Sequence, residues 1–241
     1  MAHRLHPPFL DEDLIYPESD GKPLADNTRQ FRLIVTIQGG LEALFQDTEN
    51  VFVAGDLFWY PVRLTPEQVA TGETPPRQAP DVMVVLGRPK GDRRSYKQWE
   101  EDNIAPQVVF EILSESNSRR EMEKKFQFYQ RYGVEEYYLY NPKHNPLQGW
   151  LRREGQLREI NSMEGWRSPR LGVTFSVNGG NLALFHPNGE RFASYVEIVE
   201  QRDRERQRAE QARQQRERAE TELQQLRERL QQLGIDPDSV S

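Results

Sequence analysis

Two acidic residues interrupt otherwise apolar stretches of this chain. Asp81 opens DVMVVL, residues 81–86, directly after Pro80, and Glu111 lies inside VVFEIL, residues 108–113. A carboxylate within an apolar strand is costly to bury unless it is paired or bound to a cation. On neighbouring strands the two can converge at one edge of a sheet. They then form an oxygen-rich site of the kind Mg²⁺ prefers, with waters and substrate phosphate oxygens completing the shell. A cation there polarises a phosphodiester and lowers the pKa of a bound water. We therefore expect the two carboxylates to approach within about 4–6 Å, close enough to share a hard cation. Other roles stay open at this level. Asp81 after a proline also suits a simple turn, and Glu111 a purely structural carboxylate. Asp56, in AGDLFWYP, is a further acidic candidate on the neighbouring strand, or else a bulge or turn residue. His3, His6, His144 and His186 are scattered without zinc-ligand spacing. Cysteine is absent, which excludes thiolate ligands, a cysteine nucleophile and disulfides.

These carboxylates need elements to hold them. Asp26 or Asn27 can cap a helix whose apolar positions Phe31, Ile34, Ile37, Leu41, Leu44 and Phe45 recur at three-to-four spacing, with Gly39–Gly40 as a possible break. VFVAGDLFWYPV, residues 51–62, reads as a strand with a possible bulge at Gly55. Residues 81–86 and 108–113 are two further strands, 119–132 a helix, and EEYYLYNP a fourth strand. Additional short strands fit 149–153, 156–160 and 181–185. Helix, strand, strand, strand, helix, strand makes an α/β fold on a central mixed sheet.

APDVMVV, VVFEILSES, the KxxxY of Lys125 and Tyr129, and YGVEEYYLYNP together resemble the Uma-two family of restriction endonucleases. That family is common in cyanobacteria and belongs to the PD-(D/E)XK nuclease superfamily. The resemblance spans roughly residues 25–190. It implies a restriction-endonuclease-like αβββαβ core and carries the metal-ligand role onto Asp81 and Glu111. It also implies Mg²⁺- or Mn²⁺-dependent hydrolysis of DNA. The superfamily pattern wants a lysine two residues after the glutamate, but position 113 is Leu. The family supplies the lysine from the following helix, and Lys125 is the matching position. At 100° per residue, Met122, Phe126 and Tyr129 share one face, Lys125 borders it, and Lys124 points nearly the opposite way. Lys125 would orient or activate the attacking water and balance transition-state charge. Tyr129 is a secondary candidate. An i,i+4 pair of Lys125 with Glu121 is the competing reading.

The net charge of −6 argues against a general DNA binder, although a local basic cleft remains possible. Arg88, Lys90, Arg93, Arg94 and Lys97, interleaved with Tyr96 and Trp99, form a polar and basic excursion suited to phosphate contacts and base stacking. A solvated loop is the equal alternative. No run of about 18 apolar residues and no signal-peptide core are present, so we expect a cytoplasmic protein that makes no membrane span. An irregular arm occupies residues 1–24, the nuclease-type domain 25–192, a charged helical extension 194–234 and a flexible tail 235–241. Gly234 and Pro237 should stop the helix. In that extension Ala209, Ala212, Arg216, Ala219, Leu223, Leu226, Leu230 and Leu233 alternate at three and four, a heptad seam expected to form a homodimeric coiled coil. In a parallel dimer Glu222 faces Arg227 of the partner, whereas Arg208 and Arg213 meet as like charges. A single helix held by internal ion pairs competes, each pair adding about 0.2–0.5 kcal/mol at best. The rival to catalysis is a weak or inactive nuclease fold that binds nucleic acid or assembles through this helix.

Overall fold

A computed structural model describes residues 12–19, 21, 24–144, 146–177 and 181–233. His3, His6, most of the expected arm, Gly234, Pro237 and the expected tail lie outside these residues. Two compact units divide the chain, residues 1–192 and residues 193–241.

In the first unit the order is α1 (Glu12–Ile15), α2 (Thr28–Leu44), β1 (Val51–Ala54), β2 (Trp59–Tyr60), α3 (Pro66–Ala70), β3 (Val82–Leu86), β4 (Tyr96–Lys97) and β5 (Val108–Ile112). It continues with α4 (Arg119–Arg131), β6 (Glu136–Tyr140), β7 (Leu147–Arg153), β8 (Gln156–Glu159), β9 (Thr174–Ser176) and β10 (Ala183–Phe185). Six strands form one sheet in the order β1-β3-β5-β6-β7-β8. Only β5 and β6 run parallel in it, with α4 in the connection between them, and the other pairs are antiparallel. The sheet is therefore mixed, and the sequence α2-β1-β3-β5-α4-β6 gives the helix–strand order expected.

Alternation along the strands builds two cores. Val82, Val84, Val108, Phe110 and Ile112 face one side with Ile34, Ile37 and Leu41 of α2. Met83, Val85, Val109 and Tyr137 face the other with Tyr129 of α4. Asn27 caps α2 by accepting the Arg29 and Gln30 amides at 3.1 and 2.9 Å. Gln30 then donates to the Ile112 carbonyl at 2.8 Å, fixing the start of α2 to the end of β5. Ser118 caps α4 through the Glu121 amide.

Several expectations need correction. The stretch 51–62 is two strands, broken by a turn in which Asp56 adopts a left-handed φ of 48°. Its second half, β2, pairs in parallel with β4 in a separate ribbon. Within residues 88–99, positions 89–92 and Arg94 are exposed, as an excursion would be, whereas Tyr96 of β4 is fully buried. The described part of the arm includes a helical turn, α1, and the buried Tyr16, whose hydroxyl accepts the Leu64 amide at 2.8 Å. Strand β9, paired with β10, has no counterpart in the expected elements.

Gly39–Gly40 does not break α2. A Cβ at Gly40 would sit 2.2 Å from Cδ2 of Phe192, while one at Gly39 would meet nothing within 4 Å. Gly39→Ala should stabilise the protein by about 0.5–1 kcal/mol through helix propensity. Gly40→Ala should destabilise it by about 1–3 kcal/mol through overpacking. Paired urea melts check this, and equal effects of the two changes would refute the packing account.

Among the described residues no helix is long and apolar enough to cross a membrane.

Candidate active site

Asp81 immediately precedes β3 and Glu111 is the fourth residue of β5. The antiparallel register pairs Val82 with Phe110 and Met83 with Val109. Continued by one residue, it sets Asp81 directly opposite Glu111. Residues so placed share a sheet face, with Cβ atoms about 4.5–5.5 Å apart. The face is that of Met83, Val85 and Val109, onto which α4 packs.

Both carboxylates are buried, Asp81 at 9% and Glu111 at 2% exposure. Asp81 Oδ2 accepts the Ile112 amide at 2.6 Å. Lys125 Nζ donates to Glu111 Oε2 at 2.8 Å, and the Tyr129 hydroxyl donates to Glu111 Oε1. Helical phase explains this: Lys125 and Tyr129 stand one turn apart on the inner side of α4, while Lys124 is exposed. Lys125 therefore engages Glu111 across the strand–helix gap. Glu121, its local alternative, accepts from Asn117 at 3.3 Å.

The electrostatics follow from this crowding. Burial, followed by the Glu111 charge, holds the Asp81 carboxyl well above the usual carboxylate range, against the pull of Lys125 and of the Ile112 amide. Burial also works to discharge Lys125, but the Glu111 and Asp81 carboxylates outweigh it and raise its pKa. Burial and then the Glu111 charge push the Tyr129 hydroxyl well up, so it remains a donor. Asp56 lies on the exposed turn, its amide donating to the Pro80 carbonyl at 3.0 Å, and its charge reaches Asp81.

The donor set suits a divalent cation. Two buried carboxylates share this face with one ammonium, and burial, then the Glu111 charge, moves Asp81 toward its acid form. A cation would reverse that. No group of three or more His, Cys, Asp and Glu among the described residues is gathered closely enough to hold a metal. A bound cation would thus draw its other ligands from water and substrate oxygens.

The basic residues expected to contact nucleic acid have partners within the chain. Glu101 accepts from Arg88 Nε at 2.8 Å and from Arg93 Nε at 2.6 Å, and Arg93 lies 3.9 Å over the Phe52 ring. Lys90 donates to the Phe45 and Gln46 carbonyls at 2.7 and 2.6 Å. Lys97 lies 3.3 Å from Glu12, and Arg94 pairs with Glu18. Tyr96, fully buried and donating to the Ile104 carbonyl at 2.7 Å, offers no face to a base. Trp99 packs against the Tyr16 ring at 5.0 Å.

Buried polar groups not apparent from the sequence include Tyr137 and Glu136. Tyr137, on β6, is 1% exposed and shares the face of the carboxylate pair. Glu136, fully buried, faces the α2 side. It accepts from Ser168 Oγ at 2.5 Å, from the Arg170 amide at 2.7 Å and from the Tyr138 hydroxyl at 2.8 Å. Both lie in EEYYLY, whose apolar look conceals them.

Comparison with known proteins places this α/β fold in a nuclease family. The profile of the Uma2 family, described as "Putative restriction endonuclease", matches residues 30–184. The chain belongs to that family. A crystal structure described as "a putative nuclease belonging to DUF820", from Anabaena variabilis ATCC 29413, is similar at 12% identity and a TM-score of 0.47, covering 68% of this chain and 87% of that one. No curated protein matches the chain.

Proposed function

We propose that this chain hydrolyses DNA phosphodiester bonds with Mg²⁺ or Mn²⁺ held by Asp81 and Glu111. The observation that carries the reading is the register of β3 on β5, which aligns two buried carboxylates on the face that receives Lys125. When bound, the cation supplies charge to the phosphate and acidity to a coordinated water. Glu111 binds it while held in place by Tyr129. Lys125 balances charge that develops on the phosphate and orients the attacking water. Asp56, on the adjoining turn, is a further candidate for a water-mediated contact. Incubating plasmid and single-stranded DNA with Mn²⁺ tests this. Cleavage that stops on chelation and on Asp81→Asn is expected. Mn²⁺ binding without cleavage of either substrate would favour the rival, a nuclease fold that holds nucleic acid without cutting it.

We further propose that α5 (Tyr195–Gln232), in the second unit, dimerises the protein as a coiled coil. A capping box of Ser194 and Glu197 starts this helix, and none of its residues is buried. Leu223, Leu226 and Leu233 are each at least half exposed, on the same seam as Leu230. Ion pairs Arg213–Glu217 and Arg216–Glu220 support the helix itself but leave those leucines wet. Packing one copy against another buries the seam and sets Glu222 against Arg227 of the partner. Sedimentation should give a dimer for the intact chain at tens of micromolar and a monomer after Leu223→Glu/Leu226→Glu. A monomer in both cases would refute the zipper.

A further inference from the structure

We propose that Tyr137 is a further binding residue of this site, its hydroxyl donating to the water that a bound cation carries between Asp81 and Glu111. The inference rests on the metal-site reading above and adds a residue to it.

The hydroxyl of Tyr137 is wholly buried and has no hydrogen-bond partner among the described residues. A buried polar group left unmatched is destabilising, and native folds keep few of them. Its location is specific. In the parallel register of β6 on β5, Tyr137 pairs with Val109, two residues before Glu111 and on the same face. The ring is fixed: it stacks on Trp150 at 5.0 Å and 19°, meets Tyr129 at 5.1 Å and touches Phe126 at 6.2 Å. The charges of both Glu111 and Asp81 act on the hydroxyl, and with burial, the larger cause, they hold it in its protonated form. Tyr129, beside it, already spends its own hydroxyl on Glu111 Oε1. Tyr137 is thus a fixed donor on the sheet face that carries both carboxylates, with its proton uncommitted. A water on a cation held by the two carboxylates would be an acceptor for it, since such a water keeps a lone pair free for a donor beyond the metal's own ligands.

Tyr137→Phe removes the hydroxyl and keeps the ring. Calorimetric titration of the intact protein with Mn²⁺ alone should show affinity about 10-fold weaker than wild type, the lower end of what is lost when a group around a metal's ligands is removed. The melting temperature of the metal-free variant should equal or exceed that of wild type, because an unmatched hydroxyl has gone. Unchanged Mn²⁺ affinity would overturn the proposal. So would a loss seen only when DNA is present, which would assign the hydroxyl to a phosphate oxygen, or a drop in metal-free stability, which would make it structural. If wild type itself binds no Mn²⁺ that Asp81→Asn abolishes, the metal-site reading fails and this inference falls with it. A wild type that binds beside an indifferent Tyr137→Phe defeats the inference alone.

Discussion

Asp81→Asn should abolish metal-dependent cleavage, by about 10³-fold or more, and at the same time make the metal-free protein more stable at neutral pH. The loss of rate corresponds to the several kcal/mol that charge stabilisation by a bound cation contributes to the transition state. The gain in stability follows from the position of Asp81. Its folded pKa lies well above the unfolded value, because burial and the facing Glu111 disfavour its charge. A carboxyl raised in this way favours the fold fully below its unfolded pKa of about 4, and that contribution is lost as pH rises through the folded pKa. Wild-type metal-free protein should accordingly lose stability from this group as pH climbs out of the acid range, whereas Asp81→Asn should not. Asparagine keeps an oxygen for the Ile112 amide. Mn²⁺ competes with the proton, so its affinity should fall on acidification. Thermal melts from pH 4 to 8, with and without Mn²⁺, read all three effects. A variant that melts lower than wild type at pH 8 would refute the electrostatic account.

Lys125→Met is the opposite case. It leaves Asp81 and Glu111 facing each other without the ammonium that now sits 2.8 Å from Glu111. Removing one partner of a buried ion pair costs about 3–5 kcal/mol, since the remaining charge is uncompensated. Because the Lys125 pKa is raised, its contribution to wild-type stability is fully present below the unfolded lysine value of about 10.4 and is lost only as pH rises through the folded pKa. The deficit of the variant should therefore span the neutral range and shrink on acidification, as Asp81 takes up a proton and leaves one uncompensated carboxylate, Glu111, in place of two. Cleavage should fall by about 10²-fold or more through loss of charge balance and water orientation. Exposed Lys124 provides the control: Lys124→Met should change neither quantity. Urea melts and initial rates on both variants decide the matter, and an equal loss at Lys124 would sink the assignment.

Different parts of this site were legible to different degrees. Asp81 and Glu111 announce themselves because a charged residue inside VMVV or VVFEI breaks a pattern that burial otherwise dictates. Lys125 and Tyr129 could be chosen over Lys124 because helical phase is a local property. Tyr137 and Glu136 could not be found in this way. Tyrosine is an ordinary strand former, and whether its hydroxyl is matched depends on rings brought from α4 and β7. The burial of Glu136 depends on Ser168 and Arg170, more than 30 positions away, a pairing no window of sequence displays. The internal pairing of the basic stretch was hidden for a similar reason. Arg88 and Arg93 read as exposed because Glu101, which gathers both, lies in the next segment. The break of 51–62 into two strands turns on the left-handed backbone of Asp56, a conformation that aspartate tolerates without requiring.

The Asp81–Ile112 hydrogen bond also bears on tolerance of insertions and deletions. Val82, Met83, Val84 and Val85 are all completely buried, so both faces of β3 are equally apolar. A slip by one residue would exchange the faces without exposing any of those side chains. Hydrophobicity therefore does not choose between the two alignments of this strand; its ends do. At one end Asp81 accepts the Ile112 amide, and at the other the Gln107 amide group brackets Leu86, accepting its N–H at 2.7 Å and donating to its carbonyl at 3.3 Å. A single-residue insertion or deletion within residues 81–86 would leave a core just as greasy, yet one of the two marks would miss its partner. The acid that weakens the metal-free fold is thus also a punctuation mark that keeps β3 in frame.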